Sequence, residues 1–144
     1  MITIICVGKI KESYLKDMID DYTKRINKYH KLSIIELKDT NINNESEEIS
    51  KYIKSNSYNI VLDINGTMYD SVSFAKKIDN LFINYSNITF IIGGSDGITD
   101  EVKDKCNEHL SFSKLTFPHG LFRAILLEQI YRSFKINNNE TYHK

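Results

Sequence analysis

Four short apolar runs, the first three each followed by a longer stretch with helical periodicity, constrain this chain more than any other feature. They are Ile2 to Val7, Leu32 to Leu37, Tyr58 to Ile64 and Ile88 to Ile92. A strand with one wet face alternates apolar and polar side chains. These read as near-continuous apolar segments, as strands buried on both faces do. After the first, Leu15, Met18, Ile19, Tyr22, Ile26 and Tyr29 recur one helical turn apart and predict an amphipathic helix. After the second, NINNESEEISKYIKSN keeps a weaker stripe of Ile49, Tyr52 and Ile53 behind an Asn-rich start that reads as a surface loop. The third run closes on Asn65-Gly66, and Ser71 can cap the helix SVSFAKKIDNLFI. Asn-Gly is also a hairpin signal, but the helix behind it favours a crossover. Strands and helices alternating in this way predict an α/β fold, a mostly parallel sheet with helices on both faces.

The 144 residues, 41% of them hydrophobic, suffice for one core, and a single proline with no linker segment predicts one domain over residues 1–144. No run approaches the roughly 20 apolar residues of a membrane span, and no basic leader precedes Ile2, so a soluble, cytoplasmic protein without membrane contact is expected. Cys6 and Cys106 form neither a disulfide framework nor a metal spacing, which suits a reducing compartment and predicts no metal. The formal net charge of +0 supplies no global field toward nucleic acid, so RNA binding would need local patches. Residues 114–144 offer one, with Lys114, Arg123, Arg132, Lys135 and Lys144 against Glu128 and Glu140. Lys9, Lys11, Lys135 and Lys144 are the candidate phosphate contacts, although each reads equally well as a solvated lysine.

Gly93-Gly94-Ser95-Asp96-Gly97 follows the fourth strand, at the carboxyl end where open α/β sheets bind ligands and where glycine lets backbone approach closely. It matches neither GxGxxG nor the GxxxxGK[ST] phosphate loop. Thr99 can cap the next helix, but Asp100 and Glu101 in its first turn would repel phosphate. A ligand without phosphates fits better. S-adenosylmethionine is one, with a neutral adenosine, a zwitterionic amino acid and a sulfonium that tolerates carboxylates such as Asp96. A tight strand-to-helix turn with no ligand accounts for the loop equally well.

Beyond Leu110, SFSKLTFP reads as a short strand or loop, with Pro118 suited to the first turn of a helix. In that helix Leu121, Phe122, Ile125, Leu126, Leu127, Ile130, Tyr131 and Phe134 cover more than one face. Such a helix needs cover on two sides. The sheet can supply one and a second copy of the chain the other, which predicts a homodimer; a central helix of a monomer is the alternative. His119, Arg123, Tyr142 and His143 carry candidate chemistry, yet spacing assigns a partner to none, and for each a structural role is the commoner reading.

Together, FIIGGSDG, LSFSKLTFPHGLFRAILLEQIYRSFKI, the terminal YHK and the opening VGKIKESY resemble, nearly end to end, the bacterial ribosomal RNA large-subunit methyltransferase H family. The family belongs to the SPOUT class, and the resemblance implies a homodimer with a carboxy-terminal deep trefoil knot that holds S-adenosylmethionine. Periodicity and composition show no knot. The resemblance further implies methylation of N3 of a pseudouridine in 23S ribosomal RNA of assembled ribosomes, without a metal. Carried over by motif, the cofactor meets Leu62, Gly93, Gly94, Phe112, Ser113, Lys114, Leu115, Thr116 and Phe117. His119 or His143 is then the candidate base for the N3 proton, Arg123 the cation that stabilises the resulting anion, and Tyr142 a stacking platform for the flipped base. Gly120 departs from the family, standing where a larger residue is usual, and the stretch from Lys38 to Glu48 is shorter than in many relatives. Two further readings compete. A non-catalytic ribosome-associated RNA-binding dimer of the same fold is disfavoured by the intact glycine loop, and a nucleotide phosphate-binding domain by Asp100 and Glu101.

Overall fold

The computed structural model describes all 144 residues. In chain order the elements are β1 (Ile2–Val7), α1 (Ser13–Asn27), β2 (Leu32–Leu37), α2 (Ile42–Ser50), β3 (Ser57–Met68), α3 (Ser71–Asn84), β4 (Asn87–Ile92), α4 (Asp100–Asp104), β5 (Glu108–Ser111) and α5 (His119–Asn137). The sheet runs β2-β1-β4-β3-β5 and every pairing is parallel. This is the α/β architecture that the apolar runs predict.

Alternate residues of the central strands feed two separate cores. Ile2, Ile4, Cys6, Ile88, Phe90 and Ile92 face the larger one, beneath α1, α3 and α5. Ile5, Val7, Val61 and Ile91 face the smaller one, with Ile49 of α2 and Val102 of α4. No helix is long and apolar enough to cross a membrane.

Helix α5 lies on the larger core between α1 and α3. Its Ala124, Leu126, Leu127, Ile130 and Phe134 are buried within the single chain. The chain itself therefore supplies much of the cover that the sequence assigns to a second copy. What stays open is a narrower stripe, with Leu121 exposed and Ile125, Gln129 and Arg132 half-buried.

Several local expectations change. The Asn-rich stretch is helix rather than loop, because the Asn41 side chain caps α2 by accepting the Asn44 N–H at 3.0 Å. Tyr52 and Ile53 lie beyond its end. Asp70, not Ser71, caps α3, accepting the Ser73 N–H at 2.7 Å, while the Ser71 hydroxyl donates to Gln129 Oε1 at 2.8 Å and ties α3 to α5. β5 starts at Glu108, ahead of the predicted segment. Its polar Glu108 accepts the hydroxyls of Tyr58 at 2.9 Å and Tyr69 at 2.8 Å and pairs with Lys77. β3 continues past Asn65-Gly66 to Met68, but Leu62 and Thr67 both register with Leu110, so residues 63–66 leave the ladder.

That excursion is held by one close approach. A Cβ on Gly66 would lie 2.6 Å from the carbonyl carbon and oxygen of His109 and 2.8 Å from the carbonyl carbon of Leu110, all of them backbone. Gly66→Ala is therefore expected to destabilise the protein by about 1–3 kcal/mol. Chemical denaturation checks this, and an unchanged midpoint would show that the loop yields freely.

Candidate functional site

Because all strands are parallel, the ends of β3, β4 and β5 open on one edge of the sheet. With the start of α5 they enclose a cavity of about 290 Å³. Leu62 and Asp63 reach it from β3, Ile92, Gly93 and Gly94 from β4, and His119 and Phe122 from α5. Phe112, Ser113, Leu115, Thr116 and Phe117 reach it from the segment that joins β5 to α5.

Glycine is required on the β4 side. A Cβ on Gly93 would sit 2.5 Å from Ile98 Cγ1, and Gly97 takes φ 84° while donating its N–H to the Gly94 carbonyl at 3.0 Å. Thr99 then caps α4, accepting the Val102 N–H at 3.4 Å, with Asp100 and Glu101 in the first turn. On the other side, the Phe112 ring stacks on Phe122 with centroids 5.4 Å apart, which fastens the connecting segment to α5. The Leu115 N–H is taken by the Ser113 hydroxyl at 3.0 Å. The N–H groups of Ser113, Lys114, Thr116 and Phe117 find no acceptor within the chain.

Unused backbone donors beside apolar walls suit a flat heterocycle that carries its own acceptors. The acidic start of α4 is unsuited to phosphate. S-adenosylmethionine meets both conditions. Leu62, Ile92, Phe112 and Phe122 would flank its adenosine, and the free N–H groups of the segment before α5 would meet its ring nitrogens and hydroxyls.

Of the residues singled out from sequence, Leu62, Gly93, Gly94, Phe112, Ser113, Leu115, Thr116, Phe117 and His119 are brought together here. Lys114 shares the segment, but its side chain is exposed outside the cavity lining. Arg123 turns the other way. It is 3% exposed and donates through Nη1 to Glu36 Oε2 at 2.5 Å and through Nη2 to the Gly8 carbonyl at 3.1 Å. Tyr142 and His143 lie outside the cavity as well. The Tyr142 hydroxyl donates to Glu128 Oε1 at 3.1 Å, its ring meets Tyr131 edge-on at 4.9 Å, and the Arg132 guanidinium covers it at 4.9 Å. Arg132 Nη1 also reaches His143 Nδ1 at 2.9 Å. Burial first, then the Tyr22 and Glu128 hydrogen bonds, raise the Tyr142 phenol above its ordinary value, so it does not titrate near neutrality. Burial likewise pushes the Cys6 and Cys106 thiols up to about 11, which removes both as nucleophiles.

Two charged lining residues escape a sequence reading. Asp63 and Lys103 form an ion pair at 3.2 Å on the cavity wall, with side chains 10% and 24% exposed. The one available signal is a carboxylate placed directly after a buried strand, ahead of Asn65-Gly66.

Comparisons with known proteins agree with this geometry. The family model described as "Predicted SPOUT methyltransferase" matches residues 1–143. Ribosomal RNA large subunit methyltransferase H of Clostridium novyi (strain NT) is 49% identical over 157 aligned positions that cover 99% of each chain. Its namesake in Clostridium acetobutylicum is 47% identical with the same coverage. Among solved structures, a protein from Haemophilus influenzae Rd KW20 described as a "probable methylase family protein" superposes with a TM-score of 0.59 at 15% identity, over 99% of this chain and 70% of its own. The SpoU methyltransferase AviRb from Streptomyces viridochromogenes, solved in complex with AdoMet, gives 0.52 at 8% identity, over 92% of this chain and 57% of its own. At those identities the structural likeness is one of fold.

The position of Arg123 makes a prediction. Glu36 keeps its side chain 39% exposed and can rehydrate, so Arg123→Met should cost about 2 kcal/mol in chemical denaturation and leave the S-adenosylmethionine affinity of the folded protein unchanged by calorimetry. Lost affinity at undiminished stability would return Arg123 to the chemistry of the cavity.

Proposed function

This chain belongs to the SPOUT methyltransferase family, and from that premise we propose that it transfers a methyl group from S-adenosylmethionine to N3 of a pseudouridine in 23S ribosomal RNA of assembled ribosomes. The observation that carries the reading is the cavity at the carboxyl edge, with its apolar walls and its unused N–H groups. The AdoMet bound to AviRb supports the cofactor, and the name shared by the Clostridium relatives supports large-subunit ribosomal RNA as substrate. The choice of base and atom rests on the sequence motifs. A ribosomal substrate in turn supports a cytoplasmic location.

When bound, S-adenosylmethionine supplies a methyl carbon activated by its sulfonium. The chain holds that carbon in line with the accepting nitrogen, a service of position more than of reactivity. N3 is inaccessible while its base is stacked, so the base has to swing out to reach the edge. His119 stands there, exposed at the first residue of α5 and lining the cavity, and we assign removal of the N3 proton to it. Arg123 of the same chain does not face the developing anion. Tyr142 and His143 pack against Glu128, Tyr131 and Arg132 of α5, outside the cavity lining, and would serve a cavity only from a neighbouring chain. The open stripe of Leu121 and Ile125, together with the exposed Leu115, supports a homodimer formed there. Lys9 and Lys11, just after β1 on the same edge, remain candidates for RNA phosphates. Lys135 is engaged by Glu140 at 2.9 Å.

Incubation with labelled S-adenosylmethionine and ribosomes that lack the modification should place label on N3 of one 23S pseudouridine. Label elsewhere, or none, rejects the assignment and, in the second case, leaves the non-catalytic RNA-binding dimer. His119→Ala should slow single-turnover methylation by about 10²- to 10⁴-fold with cofactor affinity retained. An unchanged rate would shift the role to His143, whose alanine variant should then lose at least about tenfold.

A further inference from the structure

The cavity is lined by two oppositely charged side chains that the adenosine does not need and that methyl transfer does not use. Asp63 is the first residue of the segment that leaves the β3–β5 ladder, and the departure turns it onto the cavity wall instead of into the sheet. Its Oδ1 accepts the Asn65 N–H at 3.1 Å, and its Oδ2 faces Lys103 Nζ at 3.2 Å and His109 Nδ1 at 3.7 Å. Burial pushes this carboxyl upward, but the Asn65 N–H and the Lys103 ammonium outweigh it and hold the group below the usual carboxylate range. Asp63 is therefore ionised at neutral pH. Lys103 extends from α4, and of its three N–H donors only one is engaged, by Asp63.

We propose that the Asp63–Lys103 pair docks the amino-acid head of S-adenosylmethionine, the carboxylate of Asp63 meeting the α-ammonium and the ammonium of Lys103 meeting the α-carboxylate. The proposal rests on the cofactor reading above and assigns a subsite within it. An α-amino acid carries one charge of each sign on a single carbon, and the wall carries one of each about as close together. The exchange leaves no net charge in a half-buried site, whereas an isolated carboxylate or lysine would leave the opposite end of the head unmet. The other carboxylates nearby are less suited. Asp96 is exposed outside the cavity lining, and Glu45 lies behind Gly94, with its Oε2 accepting the Thr40 N–H at 2.9 Å. Asp63 and Lys103 are thus positioning residues for the cofactor and take no part in bond making.

Calorimetry with two nucleosides separates the head from the adenosine. S-adenosylhomocysteine carries the amino-acid head, and 5′-methylthioadenosine lacks it. Asp63→Asn and Lys103→Met should each weaken S-adenosylhomocysteine binding by about 10- to 100-fold, leave 5′-methylthioadenosine binding within about twofold, and keep a cooperative thermal transition. Lys103→Arg, which keeps the charge, should recover most of the lost affinity. Equal losses for both nucleosides, or no loss for either, would overturn the subsite and leave the cofactor reading standing. Failure of the unaltered protein to bind either nucleoside would overturn both.

Discussion

Burial of both faces of β1 and β4 is the constraint on which the rest of the structure depends. Ile2, Ile4, Ile5, Ile88, Phe90 and Ile91 are each 0% exposed, and they point alternately into two cores. Each such side chain contributes roughly 1.5–3 kcal/mol when removed from water, so neither face of the sheet can be left uncovered. Helices on both faces follow, and connections that return over a face make the strands parallel. Parallel strands end on one edge. The loops after β3, β4 and β5 therefore meet there as a geometric consequence of a hydrophobic requirement, and the cavity is built where they meet.

What shapes that edge is close approach as much as ligand chemistry. Gly94 carries no Cβ because one would lie 2.8 Å from Glu45 Oε1 and 3.1 Å from Val7 Cγ1, so the glycine loop is seated against α2 and β1. Gly120, the departure expected to loosen the start of α5, does the reverse. The space of a side chain is filled by Leu15 Cδ1 and Ile10 Cδ1, which a Cβ would meet at 2.9 and 3.1 Å. Arg123 fastens the same turn to the Gly8 carbonyl and to Glu36. Ile10, Leu15, Gly8 and Glu36 all belong to the β1, α1 and β2 region, so the opening third of the chain packs against the start of α5 on the side away from the cavity.

The fold class was legible because burial on both faces leaves a mark in one dimension, a run of apolar residues without alternation. The details that stayed hidden depend on partners distant in sequence. Asn41 reads as loop until its side chain is seen capping α2, and the place of Glu108 in β5 shows only once Tyr58, Tyr69 and Lys77 surround it. Leu110 pairing with both Leu62 and Thr67 has no sequence signature at all. In the site, the motif residues of the glycine loop and of the segment before α5 did converge. The polar candidates divided. His119 lines the cavity, whereas Arg123, one turn further on, is drawn to Glu36 and Gly8. Spacing along a helix indicates which residues share a face, but not which partner captures a long side chain.

The charge pattern at the carboxyl edge suits a ligand without phosphates. At the start of α4, Asp100 and Glu101 oppose the attraction that a helix N-terminus has for phosphate. A neutral adenosine asks only for apolar contact and hydrogen bonds, and the segment from Ser113 to Phe117 offers the latter from backbone, which no side-chain substitution removes. Apolar walls and backbone donors together suit a nucleoside. In the proposed reaction, methyl transfer from a sulfonium asks further only for alignment and for a base to take the N3 proton, since the leaving group departs neutral. A protein with no net charge can therefore perform it, provided that attraction to RNA comes from local lysines at the same edge and not from the molecule as a whole.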